Sequence, residues 1–234
     1  MVNLTSLSIR FGLKGNLREV FKFDISTLSE LKSLRLDFSW QNDIETTGVG
    51  SANRFWLEDV FKEIGKRNKL EKLFLLFKGF YCDDFGRPFM VLGQSLKELT
   101  RLSKFPLRIP KAYSIGTQEM CILYRGIGKL KTIKELDLQL AQEYGLKSRE
   151  FEILIDYIAD GFPLLEGLAL GFGKFGLTLQ SCQHFCQAIN RMKSLNYIGL
   201  KFFGEYGTNR YMKLLLDEVG KEILVEEIFN LFHR

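Results

Sequence analysis

One hydrophobic pattern occurs seven times along this chain of 234 residues. Each copy has an apolar residue, two variable positions, a second apolar residue, one variable position and a third apolar residue. Successive copies begin 27 to 39 residues apart. A period in this range indicates a solenoid, in which each unit buries its apolar side by stacking on its neighbours. The pattern predicts repeat strands near 4–9, 31–36, 70–75, 102–107, 133–138, 165–170 and 195–200.

Between these strands the hydrophobic period changes to that of a helix. Apolar residues recur at i, i+3, i+4 and i+7, which places them on one side of an α-helix. Thr117, Ser148 and Thr178 stand just upstream of helical segments, where a hydroxyl can accept a hydrogen bond from a free backbone N–H. Each unit is therefore expected to be a strand, a loop and a helix. The clearest stripes are Phe89, Leu92, Leu96 and Leu99; Phe151, Leu154, Ile155 and Ile158; and Cys182, Phe185, Cys186 and Ile189.

The strand segments LEKLFL, IKELDL, LEGLAL and LNYIGL resemble the LxxLxL motif of leucine-rich repeats. A full helix in each unit is similar to the ribonuclease-inhibitor-like class, and the resemblance extends over about residues 3–232. It implies one α/β leucine-rich-repeat solenoid over 1–234, a horseshoe of about seven repeats with a parallel sheet on the concave face and helices on the convex face. It also implies a protein-binding scaffold as the function. Since the end of a solenoid exposes an apolar flank, the tail over 221–234 is expected to close it as a C-terminal partial repeat or cap. The asparagine that the family places after the strand is mostly missing, so another device must satisfy the loop backbone.

The segment GFGKFG contains glycines of the form Gly-x-Gly-x-x-Gly, namely Gly171, Gly173 and Gly176. Such a turn before a helix is typical of dinucleotide sites, where glycines let the backbone approach a pyrophosphate. A dinucleotide fold also needs an acidic residue about twenty positions further on, and none lies between Glu166 and Glu205. We therefore interpret the glycines as a strand-to-helix turn and expect no cofactor. Glycine recurs at the same point after other strands, at Gly15, Gly145 and Gly207.

Cys182, His184 and Cys186 lie within one short segment and carry the ligand atoms that zinc prefers. A structural zinc needs four ligands, usually as two separated pairs, and both cysteines fall on the apolar stripe of a helix. We therefore expect core side chains and no metal. The sequence has two histidines and no serine–histidine–acid set, carboxylate pair or GxxxxGK[ST] loop, so we expect no catalytic residues and no enzymatic activity.

The variable strand residues next to the apolar positions are expected on the concave surface, where a partner would bind. Phe74 and Leu76 form an apolar pair on one strand, which is unusual for a solvated sheet and typical of a contact surface. Ala169, Gly171 and Gly199 carry almost no side chain, so we expect another protein to approach the sheet closely there. The predicted partner-binding residues are Arg10, Arg35, Asp37, Phe74, Leu76, Arg108, Asp137, Ala169, Gly171, Gly199 and Lys201.

Two further segments have a local interpretation and a functional one. Residues 41–54 have no hydrophobic period and are expected to form an exposed loop, which is a spacer in the simpler interpretation and a partner contact in the other. A run of basic residues near a helix end either contacts phosphate or, as we favour, remains a solvated edge. The run consists of Lys62, Lys66, Arg67, Lys69 and Lys72.

Aromatic residues cluster just after the strands, among them Phe38 and Phe77. They are either core side chains or anchors of an interface. No polar capping module precedes the first strand, and the exposed end of a solenoid needs a cover. We therefore expect another subunit at that end.

The net charge of +5 combines 33 basic with 28 acidic residues, which permits an acidic partner or RNA without requiring either. Four cysteines without a disulfide-like spacing, and the lack of a signal peptide or an apolar span, indicate the cytoplasm or another reducing intracellular compartment and no membrane. We expect a non-catalytic subunit or adaptor that binds protein partners in a larger assembly. An RNA-associated repeat protein that uses the basic rows is the less favoured alternative, and a ligase substrate receptor would need an adaptor-binding module.

Overall fold

In the computed structural model, strands alternate with helices along the chain. The strands form one sheet in which chain order is also the spatial order, and every neighbouring pair is parallel. Parallel neighbours need a connection that returns the chain to the same edge of the sheet, which a helix provides. The predicted α/β class with a parallel sheet is therefore confirmed. The structure describes residues 4–13, 24–40, 50–78, 85–112, 115–142, 148–172, 178–203 and 222–228.

Each of the first seven strands contains the second and third apolar residues of one copy of the repeated motif. The eighth lies within the segment 221–234, for which a partial repeat or cap was predicted. The strands are β1 Ser6–Leu13, β2 Ser33–Trp40, β3 Lys72–Lys78, β4 Lys104–Ala112, β5 Glu135–Gln142, β6 Gly167–Phe172, β7 Tyr197–Phe203 and β8 Glu222–Ile228.

These seven strands begin two residues later than the motif predicted. The first apolar residue of the motif closes a turn instead: the N–H of Leu70, for example, donates to the carbonyl of Arg67 at 3.0 Å. Its side chain is nonetheless fully buried. The carbonyl that follows, at Glu71, accepts two N–H groups from the next repeat, those of Ser103 and Lys104. The same two-donor contact occurs at every junction from β1 to β7, so it links neighbouring repeats before each strand begins.

The third apolar residue of each motif forms a continuous ladder across the sheet. Leu75 lies beside Leu36 on one side and Leu107 on the other, and both neighbours are fully buried. The register continues through β5 and β6 to β7. On β1, by contrast, Leu7 and Ile9 are only partly buried. The ladder explains why the motif recurs, since each repeat covers the apolar side of the previous one.

Five helices within the described ranges pack on the face of the sheet that carries this ladder, and the helix and strand side chains form one core. The predicted stripes face this core: their residues are buried, except Cys186, which is half-buried. No helix in the described ranges is both long and apolar enough to span a bilayer. The helices are α1 Gly50–Gly65, α2 Gly86–Leu96, α3 Thr117–Ile127, α4 Ser148–Gly161 and α5 Leu179–Arg191.

Helix α1 corrects the prediction of a loop over 41–54, because residues 50–54 form its first turn. The small residues at its start hide the helical period in the sequence. Arg54 lies over the ring of Phe55, with its guanidinium carbon 4.6 Å from the ring centroid, and faces Glu58 one turn later. Residues 41–49 lie outside the described ranges.

Aromatic side chains stack along the inner face of the first three strands. Phe38 lies between Phe11 at 5.2 Å and Phe77 at 4.6 Å, measured between ring centroids, and Trp56 of α1 meets Phe38 edge-on at 5.8 Å. All four side chains are buried. Phe38 and Phe77 are therefore core residues and not interface anchors.

Of the three residues predicted to cap helices, one is an N-cap and two are the first residues of their helices. Thr178 caps α5, since its hydroxyl accepts a hydrogen bond from the N–H of Ser181 at 3.1 Å. At α3 the N-cap is Gly116, and Thr117 is already the first helical residue. The Thr117 hydroxyl instead donates to the buried carboxylate of Glu150 in α4. Ser148 is likewise the first residue of its helix.

Candidate functional site

The face of the sheet opposite the five helices, which we call the open face, carries the alternate side chains of the strands. The parallel register aligns these side chains in rows across the strands. One row runs from Asp137 through Ala169 to Gly199, and the next row places Leu76 beside Arg108. All predicted partner-binding residues belong to these rows.

A groove of about 610 Å³ lies on the open face. Six of the predicted partner-binding residues line it: Arg35, Phe74, Leu76, Arg108, Asp137 and Ala169. The other five do not: Arg10, Asp37, Gly171, Gly199 and Lys201. The structure thus brings the middle of the predicted surface together in one site and leaves its two ends outside it.

The floor of the groove is apolar. Leu76 is 6% exposed, Pro106 is buried and Phe74 is partly exposed. The pairing between β3 and β4 passes from Lys72 and Lys104 to Leu75 and Leu107, and it skips Pro106, which has no N–H to donate. Apolar surface on the uncovered side of a sheet is associated with contact to another molecule.

Cross-strand ion pairs line the groove beside this floor. Arg108 donates two hydrogen bonds to Oδ2 of Asp137, from Nη2 at 2.6 Å and from Nε at 3.1 Å. Gln139 donates to the other carboxylate oxygen, Oδ1, at 3.2 Å. Lys104 forms a hydrogen bond with Glu135 one row away. Exposed pairs of this kind add little stability, but they hold the charged groups at defined positions.

Arg35 differs from the other cations of the groove. It is exposed, and its guanidinium carbon lies 5.9 Å from the centroid of the Phe74 ring. This distance is within the range of a cation–π contact. Within the described ranges, no carboxylate lies at ion-pair distance from Arg35.

Asp37 lies near the first edge of the sheet, outside the groove. Its side chain is 3% exposed, and Oδ2 faces Nε of Arg10 at 3.4 Å. Oδ1 has no hydrogen-bond donor among the described residues. Because a buried acceptor without a donor is destabilising, Oδ1 offsets part of what the pair with Arg10 contributes.

The surface around Ala169, Gly171 and Gly199, which was predicted to be bare, is partly covered by a neighbouring side chain in the structure. The hydroxyl of Tyr197 lies 2.9 Å from where a side chain on Gly199 would begin, so the tyrosine covers the glycine. Gly171 is buried, whereas Ala169 is partly exposed and lines the groove. Gly173 and Gly176 lie outside the described ranges, as do the recurring Gly15, Gly145 and Gly207.

Sequence reasoning missed five polar residues of the groove lining. Lys104, Glu135 and Tyr197 directly precede the second apolar position of their motifs, and the alternation of a strand places them on the open face as well. The prediction considered only the positions after that apolar residue, although for these three residues the period of two was a sufficient signal. Glu166 and Asn196 lie just before β6 and β7, where the strand period gives no signal.

The cysteine–histidine segment does not form one site. Cys182 is 1% exposed in the core, and burial raises the pKa of its thiol to about 11. His184 instead lies on the helix surface, where its Nε2 is 2.9 Å from Oδ1 of Asp156. In the described part of the chain, no three His, Cys, Asp or Glu side chains are arranged to hold a metal.

Most of the basic run near the end of α1 is neutralised by acidic neighbours. Lys62 pairs with Asp59 at 3.2 Å, and Lys66 pairs with Glu63 at 2.5 Å. Glu30 accepts a hydrogen bond from Lys69, which lowers the pKa of the Glu30 carboxyl. These contacts favour the solvated edge over a phosphate site.

Comparison with known proteins finds no protein-family model and no curated protein that matches the chain. The geometry of the open face therefore carries the argument for its function.

Proposed function

We propose that the chain is a non-catalytic leucine-rich-repeat scaffold of the ribonuclease-inhibitor-like class, built as a horseshoe of about seven repeats. The observation that carries the proposal is the groove, where an apolar floor lies among fixed charges on the side of the sheet that no described helix covers. We infer that this open face is concave and that a segment of a partner protein binds there. Interfaces commonly combine an apolar centre with a polar rim in this way.

The charged groups of the groove support binding rather than catalysis. Lys104 and Arg108 are engaged with Glu135 and Asp137 in ion pairs across neighbouring strands. Groups held in this way give a partner a defined charge pattern, which contributes to specificity more than to affinity.

We further propose that the protein acts as a subunit or adaptor of an assembly in a reducing intracellular compartment. Cys121 and Cys182 are free thiols, the first half-buried and the second buried. Free cysteines are typical of proteins kept reduced.

Capture experiments with matched variants test the proposal. One variant combines Arg35→Glu, Phe74→Ala and Arg108→Glu on the open face. The control is Arg149→Glu, an exposed cation in the first turn of α4, where a negative charge suits the helix dipole. Quantitative mass spectrometry of proteins captured from cells should find partners retained by wild type and by the control but lost from the triple variant. Equal capture by all three proteins, with unchanged circular dichroism, would place the binding surface elsewhere.

A further inference from the structure

One charged residue of the groove lining, Arg35, has no oppositely charged partner among the described residues. Glu135 and Asp137 are paired with Lys104 and Arg108. The third acid, Glu166, is paired with Lys134 at 3.0 Å. Within the described part of the chain, every carboxylate of the lining is thus neutralised, and Arg35 is the lining cation left without one. The groove therefore carries one uncompensated positive charge, located on β2.

The contact of Arg35 with Phe74 leaves its hydrogen-bonding groups available. A guanidinium above an aromatic ring keeps its N–H donors directed outward in the plane of the group. This fork matches the two oxygens of a carboxylate, and such bidentate pairs are shorter and stronger than neutral hydrogen bonds. The arrangement favours an acidic side chain of a bound partner.

The apolar floor begins directly beside this cation. Phe74 lies on the next strand, and Leu76 follows it two positions later on the same face. Neighbouring strands lie about 4.8 Å apart, which is comparable to the distance between adjacent or alternate residues of an extended peptide. An acid at Arg35 and an apolar side chain on the floor can therefore come from one short segment.

The acidic residues of the groove argue against nucleic acid. Glu135, Asp137 and Glu166 line the part of the groove toward β6. These carboxylates neutralise Lys104, Arg108 and Lys134, whereas nucleic-acid sites present uncompensated lysine and arginine along the path of the phosphates. The charge pattern is complementary to a segment with one acid and an otherwise apolar contact.

We propose that Arg35 selects an aspartate or glutamate of a partner protein, and that Phe74, Leu76 and Pro106 bind a large apolar side chain within two residues of that acid. This inference rests on the proposed function, because it specifies the chemistry of the segment that the open face binds. The contact between Arg35 and Phe74 makes the two selections interdependent.

A displayed library of random dodecapeptides, selected on the full chain, tests this motif. Wild type and the Arg149→Glu control should enrich peptides that carry Asp or Glu within two residues of Leu, Ile, Phe or Met. Arg35→Glu should lose this acidic preference and enrich Lys or Arg at the same position. For one synthetic peptide from the wild-type selection, fluorescence anisotropy should give about tenfold weaker binding to Arg35→Glu. Its Glu→Gln or Asp→Asn analogue should bind wild type about tenfold more weakly as well.

The outcomes separate this inference from the proposed function. Leu76→Asp, which places a charge on the floor, should abolish selection of any motif. If Leu76→Asp abolishes selection but Arg35→Glu enriches the same peptides as wild type, the face binds protein and the role of Arg35 is wrong. If no variant of the face changes the selected peptides, or wild type enriches none, both ideas fail. Binding of a labelled twenty-nucleotide oligouridine that weakens steeply with salt and is lost in Arg35→Glu would assign the groove to nucleic acid instead.

Discussion

The carbonyl oxygen of Gly93 in α2 lies 2.0 Å from the point where a side chain on Gly126 in α3 would begin. In the reverse direction, a side chain on Gly93 would meet the carbonyl oxygen of Ile122 at 2.7 Å. Helices usually pack 8–10 Å apart, whereas parallel strands lie about 4.8 Å apart. Direct backbone contact at these glycines therefore reduces the mismatch between the helical layer and the sheet.

The first prediction concerns this contact. Gly126→Ala should destabilise the fold by about 1–3 kcal/mol, because the new methyl group overlaps backbone that cannot rotate away. The gain in helix propensity, about 1 kcal/mol, offsets only part of this cost. Urea unfolding followed by circular dichroism measures the effect. Gly128→Ala is the matched control and should cost less than Gly126→Ala. Its new methyl group would lie 3.3 Å from the Cβ of Tyr157, which is a side-chain atom, and its φ of −61° suits alanine. Equal stability of Gly126→Ala and wild type would contradict the predicted overlap.

The second prediction concerns the aromatic stack under the first strands. Phe38→Ala should cost about 3–5 kcal/mol, because it removes a fully buried ring that contacts Phe11, Phe77 and Trp56. Phe38→Leu keeps most of the volume and should cost markedly less, since it loses mainly the ring contacts. Thermal and urea unfolding compare the two variants. A similar loss for both would mean that ring geometry matters more than volume at this position.

The third prediction concerns the ion pair between Arg108 and Asp137. A double-mutant cycle with Arg108→Ala and Asp137→Ala should give a coupling free energy below about 1 kcal/mol, because half of the Arg108 side chain is exposed. The coupling should decrease further in 1 M NaCl. Unfolding free energies of the four proteins measure it. A coupling above about 2 kcal/mol that resists salt would mean that the pair is a structural element and not a surface feature.

The fourth prediction concerns the Cys182 thiol. Burial raises its pKa from the ordinary value of 9.0 to about 11, so the folded protein retains a proton that the unfolded chain releases. The stability that the neutral thiol contributes is present below pH 9 and is lost as the pH rises toward about 11. The difference in free energy of unfolding between wild type and Cys182→Ala should therefore become smaller across this range.

Alkylation tests the burial and the raised pKa of Cys182 together. At pH 8 iodoacetamide should modify Cys121, which is half-buried, faster than Cys182, because Cys182 is buried and its raised pKa leaves little of the reactive thiolate. Mass spectrometry of the digested protein separates the two sites. Rapid labelling of Cys182 in folded protein would show that the thiol is neither buried nor protonated as described.

Much of the fold could be predicted because its signals are local. The period of two in segments such as LEKLFL and the period of 3.6 around Phe151 and Ile155 depend only on residues close in sequence. The strand starts were displaced by two residues, because Leu70 and its equivalents are buried like strand residues while their N–H groups close a turn. Hydrophobicity alone does not distinguish these two roles.

The candidate site could be predicted in part for the same reason. Alternation identified Arg35, Phe74 and Leu76 as open-face residues before their neighbours were known. It did not reveal that Tyr197 covers Gly199, because the direction of a side chain along its own strand is set by packing. It also missed the first turn of α1, where small and polar residues hide the helical period.

The sequence by itself determined the repeated strand and helix, the apolar ladder and the side chains that face away from the helices, because these follow from backbone periods shorter than five residues. The tertiary structure alone decided which charges cancel. Arg108 pairs with Asp137, and Lys104 pairs with Glu135, only because the register of parallel strands brings together residues about thirty positions apart. The same register leaves Arg35 beside Phe74, with no carboxylate at ion-pair distance among the described residues.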